Sequence, residues 1–180
     1  MPAKGSSLDS WLEYISSVHP REIELGLDRT RRVAQRLQLE RPDSLIITVA
    51  GTNGKGSCVA TMEAILLQAG YKTGCYTSPH IHAFNERIRI DSMSIDDESL
   101  VAALEAIDGA REGESLSYFE YATLAGLYLF RESQVDIALL EVGLGGRLSG
   151  GNEVAAGVAV SRRFGLAHSD SMDNDMRSVP

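Results

Sequence analysis

The sequence predicts an α/β fold, a mostly parallel sheet flanked by helices, and three observations carry that reading. Leu45 to Ala50 is an apolar, β-branched run that stops at Gly51-Thr52-Asn53-Gly54-Lys55-Gly56, and a helical pattern starts at once from Ser57 through Cys58, Met62, Ile65 and Leu66. That helix reaches Gly70, a residue of the right type and place to stop it, and a short strand-like run, Lys72 to Tyr76, follows. A helix of this length between two short strands is a parallel crossover unit. Asp136 to Val142 is apolar except at Asp136 and Glu141, as a strand covered on both faces would be.

Taken in order, Leu8, Trp11, Leu12, Ile15 and Val18 recur at helical spacing and give an amphipathic helix ending near His19-Pro20. Arg21 to Leu27 is a connector containing Gly26, and Asp28 reads as the cap of a second helix through Val33, Ala34 and Leu37. Arg41-Pro42-Asp43 turns the chain into the first strand. Beyond Tyr76, the stretch Thr77-Ser78-Pro79-His80 lies on the same sheet edge as the glycine-rich loop, where ligands of open α/β sheets bind. Glu86 to Ile90 alternates charged and apolar residues and reads as a half-exposed strand, hairpinned with Met93 to Ile95. Asp96 caps a helix whose buried stripe is Leu100, Val101, Leu104 and Ile107, and a polar break spans Gly109 to Glu114. Ser117-Tyr118-Phe119-Glu120 opens a more apolar helix that runs to about Phe130. After the strand ending at Glu141 come Gly143 to Arg147, Leu148 to Asn152 and a last short strand at about Val158 to Val160. Residues 161–180 are polar and irregular.

With 180 residues, 43% of them hydrophobic, the chain has the size and core material of a single ordinary domain. A formal net charge of −8 argues against nucleic acid as a partner, because phosphate backbones select for clustered Lys and Arg. Cys58 and Cys75 are too few for a disulfide framework and lack zinc-type spacing, so a reducing compartment is expected. Met1 to Ser10 carries no apolar block of the signal-peptide kind, and no run reaches membrane-spanning length. The expectation is a cytoplasmic protein without a membrane partner.

The turn between the first strand and its helix suits an anion, since glycines let backbone N–H groups turn inward and the helix directs its positive end to the same place. Lys55 would add a charge for outer phosphates. The general phosphate-loop spacing is not met: Val49 stands where its first glycine belongs and Gly56 separates Lys55 from Ser57. A plain glycine-rich connector is the other reading. Glu141, at the end of its strand, can supply an oxygen ligand to a divalent metal or simply face solvent. Ser78 before a proline reads as a turn before it reads as a metal ligand, and His168 sits alone in a polar tail. Ser117 and Glu120 fit a helix capping box, which accounts for both without a ligand. Arg147 can hold an anion or lie on the surface.

Thr48 to Ser57, Tyr76 to His80, Asn85 to Ile88, Tyr118 to Tyr121 and Glu141 to Arg147, in this order and at these separations, resemble the folylpolyglutamate synthase / dihydrofolate synthase family, which belongs with the Mur ligases. The likeness covers about residues 8–160. It implies a P-loop-containing, Mur-ligase-like ATP-binding domain, truncated, with the glutamate-ligase domain absent. It also implies an ATP-dependent ligase that joins L-glutamate to dihydropteroate or folate through an acyl phosphate, acting as a monomer with ATP and Mg2+.

By the same resemblance, Gly51, Thr52, Asn53, Gly54, Lys55, Gly56 and Ser57 would hold the ATP phosphates, and Ser78, Glu141 and His168 the magnesium, with Lys55, Glu141 and His168 as catalytic groups. The pteroate would lie against Glu24, Leu25, Gly26 and Leu27, against Ser117, Tyr118, Phe119 and Glu120, and against Leu148, Ser149 and Gly150. The chain departs from the family pattern at Ser149-Gly150-Gly151, where the family reads Asp-Ala-Thr, and at Ala167, where it reads aspartate before the histidine. Two other expectations stay open: a non-catalytic nucleotide- or pteroate-binding remnant, and a Mur ligase acting on cell-wall precursors.

Overall fold

The computed structural model describes residues 1–3, 5–18, 27–39, 43–51, 53–141 and 158–161, of which residues 27 and 158–161 are described in backbone only. The helices are α1 (Leu8–Val18), α2 (Leu27–Arg36), α3 (Lys55–Gln68), α4 (Asp97–Arg111) and α5 (Tyr118–Glu132). The strands are β1 (Leu45–Ala50), β2 (Thr73–Tyr76), β3 (Ile88–Ile90), β4 (Met93–Ser94), β5 (Ile137–Glu141) and β6 (Val158–Ser161). A 3-10 turn, Phe84–Arg87, precedes β3.

The strands form one sheet in the order β4-β3-β2-β5-β1-β6. β1 pairs in parallel with β5 and β6, β2 pairs in parallel with β5, and β3 is antiparallel to both of its neighbours, β2 and β4. The sheet is thus mostly parallel, as expected, and β2 runs parallel to β1 without touching it. β5 lies between them.

Alternation along each strand divides the core into two unequal parts. Ile47 and Val49 of β1, Cys75 of β2, and Ile137 and Leu139 of β5 face α3, packing with Val59. Ile46, Tyr76, Ala138 and Leu140 face the other way, into a larger cluster built by α5, α4, α1 and α2 that includes Trp11, Leu104 and Leu124. α5 packs closely on β2 because two positions lack side chains. A Cβ on Gly74 would stand 2.5 Å from Phe130 Cδ1, and one on Gly126 would stand 3.2 Å from Tyr76 Cδ2. Beneath these apolar contacts the Asp108 carboxylate ties three helices together. Tyr14 and Tyr121 donate their hydroxyls to it at 3.1 and 2.7 Å, and Arg111 Nε donates at 2.7 Å. Burial pushes the Asp108 pKa up, but Arg111 and the two tyrosines outweigh it and leave the group below its ordinary value.

Local bonding moves four boundaries from where the pattern put them. α2 begins at Leu27, so Asp28 lies in its first turn, where a carboxylate favours the helix dipole without capping. α3 begins at Lys55, two residues before the apolar pattern, because Gly54 takes φ 76° as its cap. Glu86 and Arg87 belong to the 3-10 turn, not to β3, because the Glu86 carboxylate accepts the N–H groups of Ile81, His82 and Ala83 at 2.8, 3.1 and 3.0 Å. Gly109 does not break α4, which runs on to Arg111 under the hold of Asp108 and ends where Glu112 turns to φ 48°. The Asp96 cap is as expected, accepting from Ser99 N at 2.7 Å. No helix among the described residues is long and apolar enough to cross a membrane.

Gly74→Ala is expected to destabilise the fold by about 1–3 kcal/mol, the usual cost of overpacking a filled core. Chemical denaturation measures it, and pairing the change with Phe130→Leu should recover part of the loss if the clash is with that ring.

Candidate functional site

β5 positions the central group of the site. Because Ile137 and Leu139 face α3, Glu141 two residues further faces the same way, but at the strand's end it meets the amino terminus of that helix. Its side chain is 8% exposed, and Oε1 lies 3.7 Å from Lys55 Nζ. Ser78 N donates to Oε2 at 3.4 Å. A Cβ on Gly56 would stand 3.8 Å from the same Oε2, so the first turn of α3 approaches the carboxylate edge-on with no side chain between. The solvent-facing reading of Glu141 does not hold.

The electrostatics follow from this placement. Burial raises the Glu141 pKa above its ordinary value of 4.5, opposed by Lys55 and by the Ser78 N–H. α3 has no side-chain cap at its amino end, so its first-turn N–H groups have no bond from the Gly54 position. A positive helix end, a lysine and a carboxylate set between two loops suit an anion together with a cation. Among the described residues no group of three or more His, Cys, Asp and Glu comes together, so no all-protein metal cage exists there. One carboxylate and one serine instead suit a hard cation of the magnesium type, which keeps several waters and takes the rest of its oxygens from phosphates.

The structure brings Lys55, Gly56, Ser78 and Glu141 together, with Gly51, Asn53, Gly54 and Ser57 in the same loop and helix start. Thr52, His168, Glu24, Leu25, Gly26, Leu148, Ser149, Gly150 and Arg147 lie outside the described residues, as does the side chain of Leu27.

At the start of α5, Ser117 and Glu120 form the expected capping box, with Ser117 N donating to Glu120 Oε2 at 2.7 Å and Glu120 N to Ser117 Oγ at 3.3 Å. Glu120 also accepts from Arg29 Nε at 2.9 Å and Thr30 Oγ1 at 2.5 Å, so this buried carboxylate fastens α2 to α5. Tyr118 and Phe119 are half-buried. Phe119 meets Tyr76 edge-on at 6.4 Å, and Tyr118 meets Phe84 edge-on at 5.7 Å.

One neighbour of these rings carries no role in the sequence reading. Arg87 places its guanidinium carbon 5.5 Å from the Phe84 ring centre and 5.6 Å from that of Tyr118, and Nε donates to His80 Nδ1 at 2.8 Å. This cluster joins the Ser78 loop to the start of α5. The motif Asn85 to Ile88 marked the stretch, but its spacing gave no hint that the arginine turns toward Tyr118.

A carboxylate whose pKa is raised in the fold contributes stability below its ordinary value and loses it as pH climbs through the raised value. The neutral Glu141→Gln should therefore melt no lower than wild type at neutral pH without ligand, and should lack that loss in a pH series starting near 4.5. Thermal melts across pH check this. A Gln variant that melts well below wild type at neutral pH would mark Glu141 as a structural ion pair.

No protein-family model matches the chain. It is 45% identical over 178 residues to the dihydrofolate synthase/folylpolyglutamate synthase of Escherichia coli (strain K12), covering 99% of this chain and 42% of that protein. It is 42% identical over 174 residues to the protein of the same name from Haemophilus influenzae, covering 97% and 40%. Among solved structures it matches E. coli FolC in complex with DHPP and ADP at TM-score 0.91 and 46% identity, over 94% of this chain and 41% of that one. It matches the bifunctional folylpolyglutamate synthase/dihydrofolate synthase of Yersinia pestis complexed with AMPPNP and Mn ion at TM-score 0.85 and 45% identity, over 89% and 39%. The chain spans about two fifths of the length of these relatives. By sequence and by fold together, it belongs to the dihydrofolate synthase/folylpolyglutamate synthase family.

Proposed function

We propose that this chain carries the nucleotide-binding edge of an ATP-dependent ligase that joins L-glutamate to dihydropteroate or a folate through an acyl phosphate. Residues 1–180 are part of its ATP-binding domain, and the glutamate-ligase domain corresponds to length of the relatives that the chain does not match. The observation that supports this best is the convergence of Lys55 and Ser78 on Glu141 at the amino end of α3.

Each residue has a physical task there. Gly51 to Ser57 offer backbone N–H groups and a positive helix end to phosphate oxygens. Lys55, held by Glu141 at 3.7 Å, is poised to turn its ammonium to the outer phosphates. Glu141, with Ser78 and His168, would hold magnesium, and its burial keeps competing water from the carboxylate. Magnesium when bound would neutralise phosphate charge and stabilise the transferring group. Ser117 and Glu120 act from inside the fold, fixing the turn that presents Tyr118 and Phe119 to the pterin-bearing substrate. Glu24 to Leu27 and Leu148 to Gly150 complete the acceptor site by resemblance. The AMPPNP, ADP, Mn ion and L-glutamate in the relatives' crystals support the ligand set. A monomer in the cytoplasm completes the proposal.

Lys55→Ala is expected to weaken ATP binding in the presence of Mg2+ about tenfold to hundredfold, the range for one lost charge-assisted hydrogen bond. Calorimetric titration reads it, and an unchanged affinity would overturn the loop assignment. Phosphate release that requires both dihydropteroate and glutamate would establish the ligase. Nucleotide binding with no such release would favour a chain that binds without turnover.

A further inference from the structure

Three half-buried arginines of this chain each hold a carboxylate: Arg29 with Glu120 at 2.9 Å, Arg89 with Glu63 at 2.9 Å and Arg111 with Asp108 at 2.7 Å. Arg87 is also half-buried, and among the described residues no carboxylate pairs with it, although the chain has 25 acidic residues against 17 basic ones. Taking a guanidinium partly out of water without a counter-charge is costly, and the protein has spent structure on keeping it there. Nε is fixed by His80, the rings of Phe84 and Tyr118 flank the group, and the Arg87 carbonyl accepts from Thr77 N at 2.8 Å. Next along the chain, Glu86 gathers three N–H groups of the loop 81–83. The Tyr76 hydroxyl also hydrogen-bonds the guanidinium, and the N–H groups that remain can take an acid, with a planar fork that, held in advance, loses little freedom on binding.

We propose that Arg87 receives the carboxylate of an aromatic acid, the acceptor substrate, between the Ser78 loop on one side and the rings of Tyr118 and Phe119 on the other. This rests on the ligase reading above and adds to it a residue that selects the acid form of the acceptor. Aromatic faces beside the guanidinium suit a carboxylate borne on a ring, and anchoring it within reach of the phosphate edge is what a reaction between carboxylate and phosphoryl group requires.

The test is a titration of the chain with dihydropteroate and with its carboxamide, which has the same shape and no charge. Wild type is expected to prefer the acid by at least about tenfold, the value of one charge-assisted hydrogen bond. Arg87→Gln should abolish the preference, leave the carboxamide affinity and the ATP affinity unchanged, and melt within a few degrees of wild type. Arg87→Lys, keeping the charge, should retain part of the preference. A preference that survives in Arg87→Gln overturns the proposal while leaving the ligase reading intact, and so does a variant that loses ATP and acid together. Wild type that binds neither compound overturns the acceptor reading and this proposal with it. Should Arg87→Gln not fold, phenylglyoxal labelling of wild type decides: peptide mapping must show Arg87 protected by dihydropteroate and not by the carboxamide, and equal protection by the two overturns the assignment.

Discussion

A carboxylate buried at the end of a central strand, with a lysine and a backbone N–H from two separate loops turned to it, is the constraint on which this structure depends. Glu141 can occupy that place only because β5 is inserted between β1 and β2. The loop after β1 then reaches it from one side through Lys55, and the loop after β2 from the other through Ser78. Strand order, more than any spacing along the chain, makes the site. Burial raises the Glu141 pKa more than Lys55 and the Ser78 N–H lower it, so the fold keeps a charge there at some cost. That is the usual condition of a group kept for a ligand.

The two faces of the sheet divide the work. α3 covers one face over a small apolar cluster and presents its amino end to the site. The other face has the larger core, and its helices are fixed by buried carboxylates that are fully engaged: Asp108 by Tyr14, Tyr121 and Arg111, and Glu120 by Arg29, Thr30 and Ser117. Buried carboxylates are tolerable when every charge and lone pair is matched, and removal of one partner is what makes them costly. With α5 so held, Tyr118 and Phe119 stand at a defined distance from the Ser78 loop, and the cluster of His80, Phe84 and Arg87 fills the space between.

Much of the fold could be read along the chain. β1, α3 and β2 were legible because an apolar strand run, a glycine turn and a helical run follow one another without a gap, and the Asp96 and Ser117 caps because capping is local chemistry. What went unread depends on partners far along the chain. The polar break after Gly109 looked like a helix end because residues spaced three apart do not reveal that Arg111 and Asp108 will be bound by tyrosines from α1 and α5. Alternation from Glu86 to Ile90 looked like strand throughout, since nothing in it announces that Glu86 bonds backward to the loop before it.

What the sequence by itself determined is the class of fold, the order of its elements and the residue types at the anion-binding turn, because periodicity, turn residues and caps are properties of neighbours along a chain. Only the tertiary structure decided that β5 separates β1 from β2, that Glu141 is buried against Lys55 and not open to water, and that Arg87 lies among rings with no carboxylate partner among the described residues. Those outcomes turn on which distant segments pair and what charge they bring with them, and a pairing between residues dozens of positions apart leaves no mark on the local pattern of either.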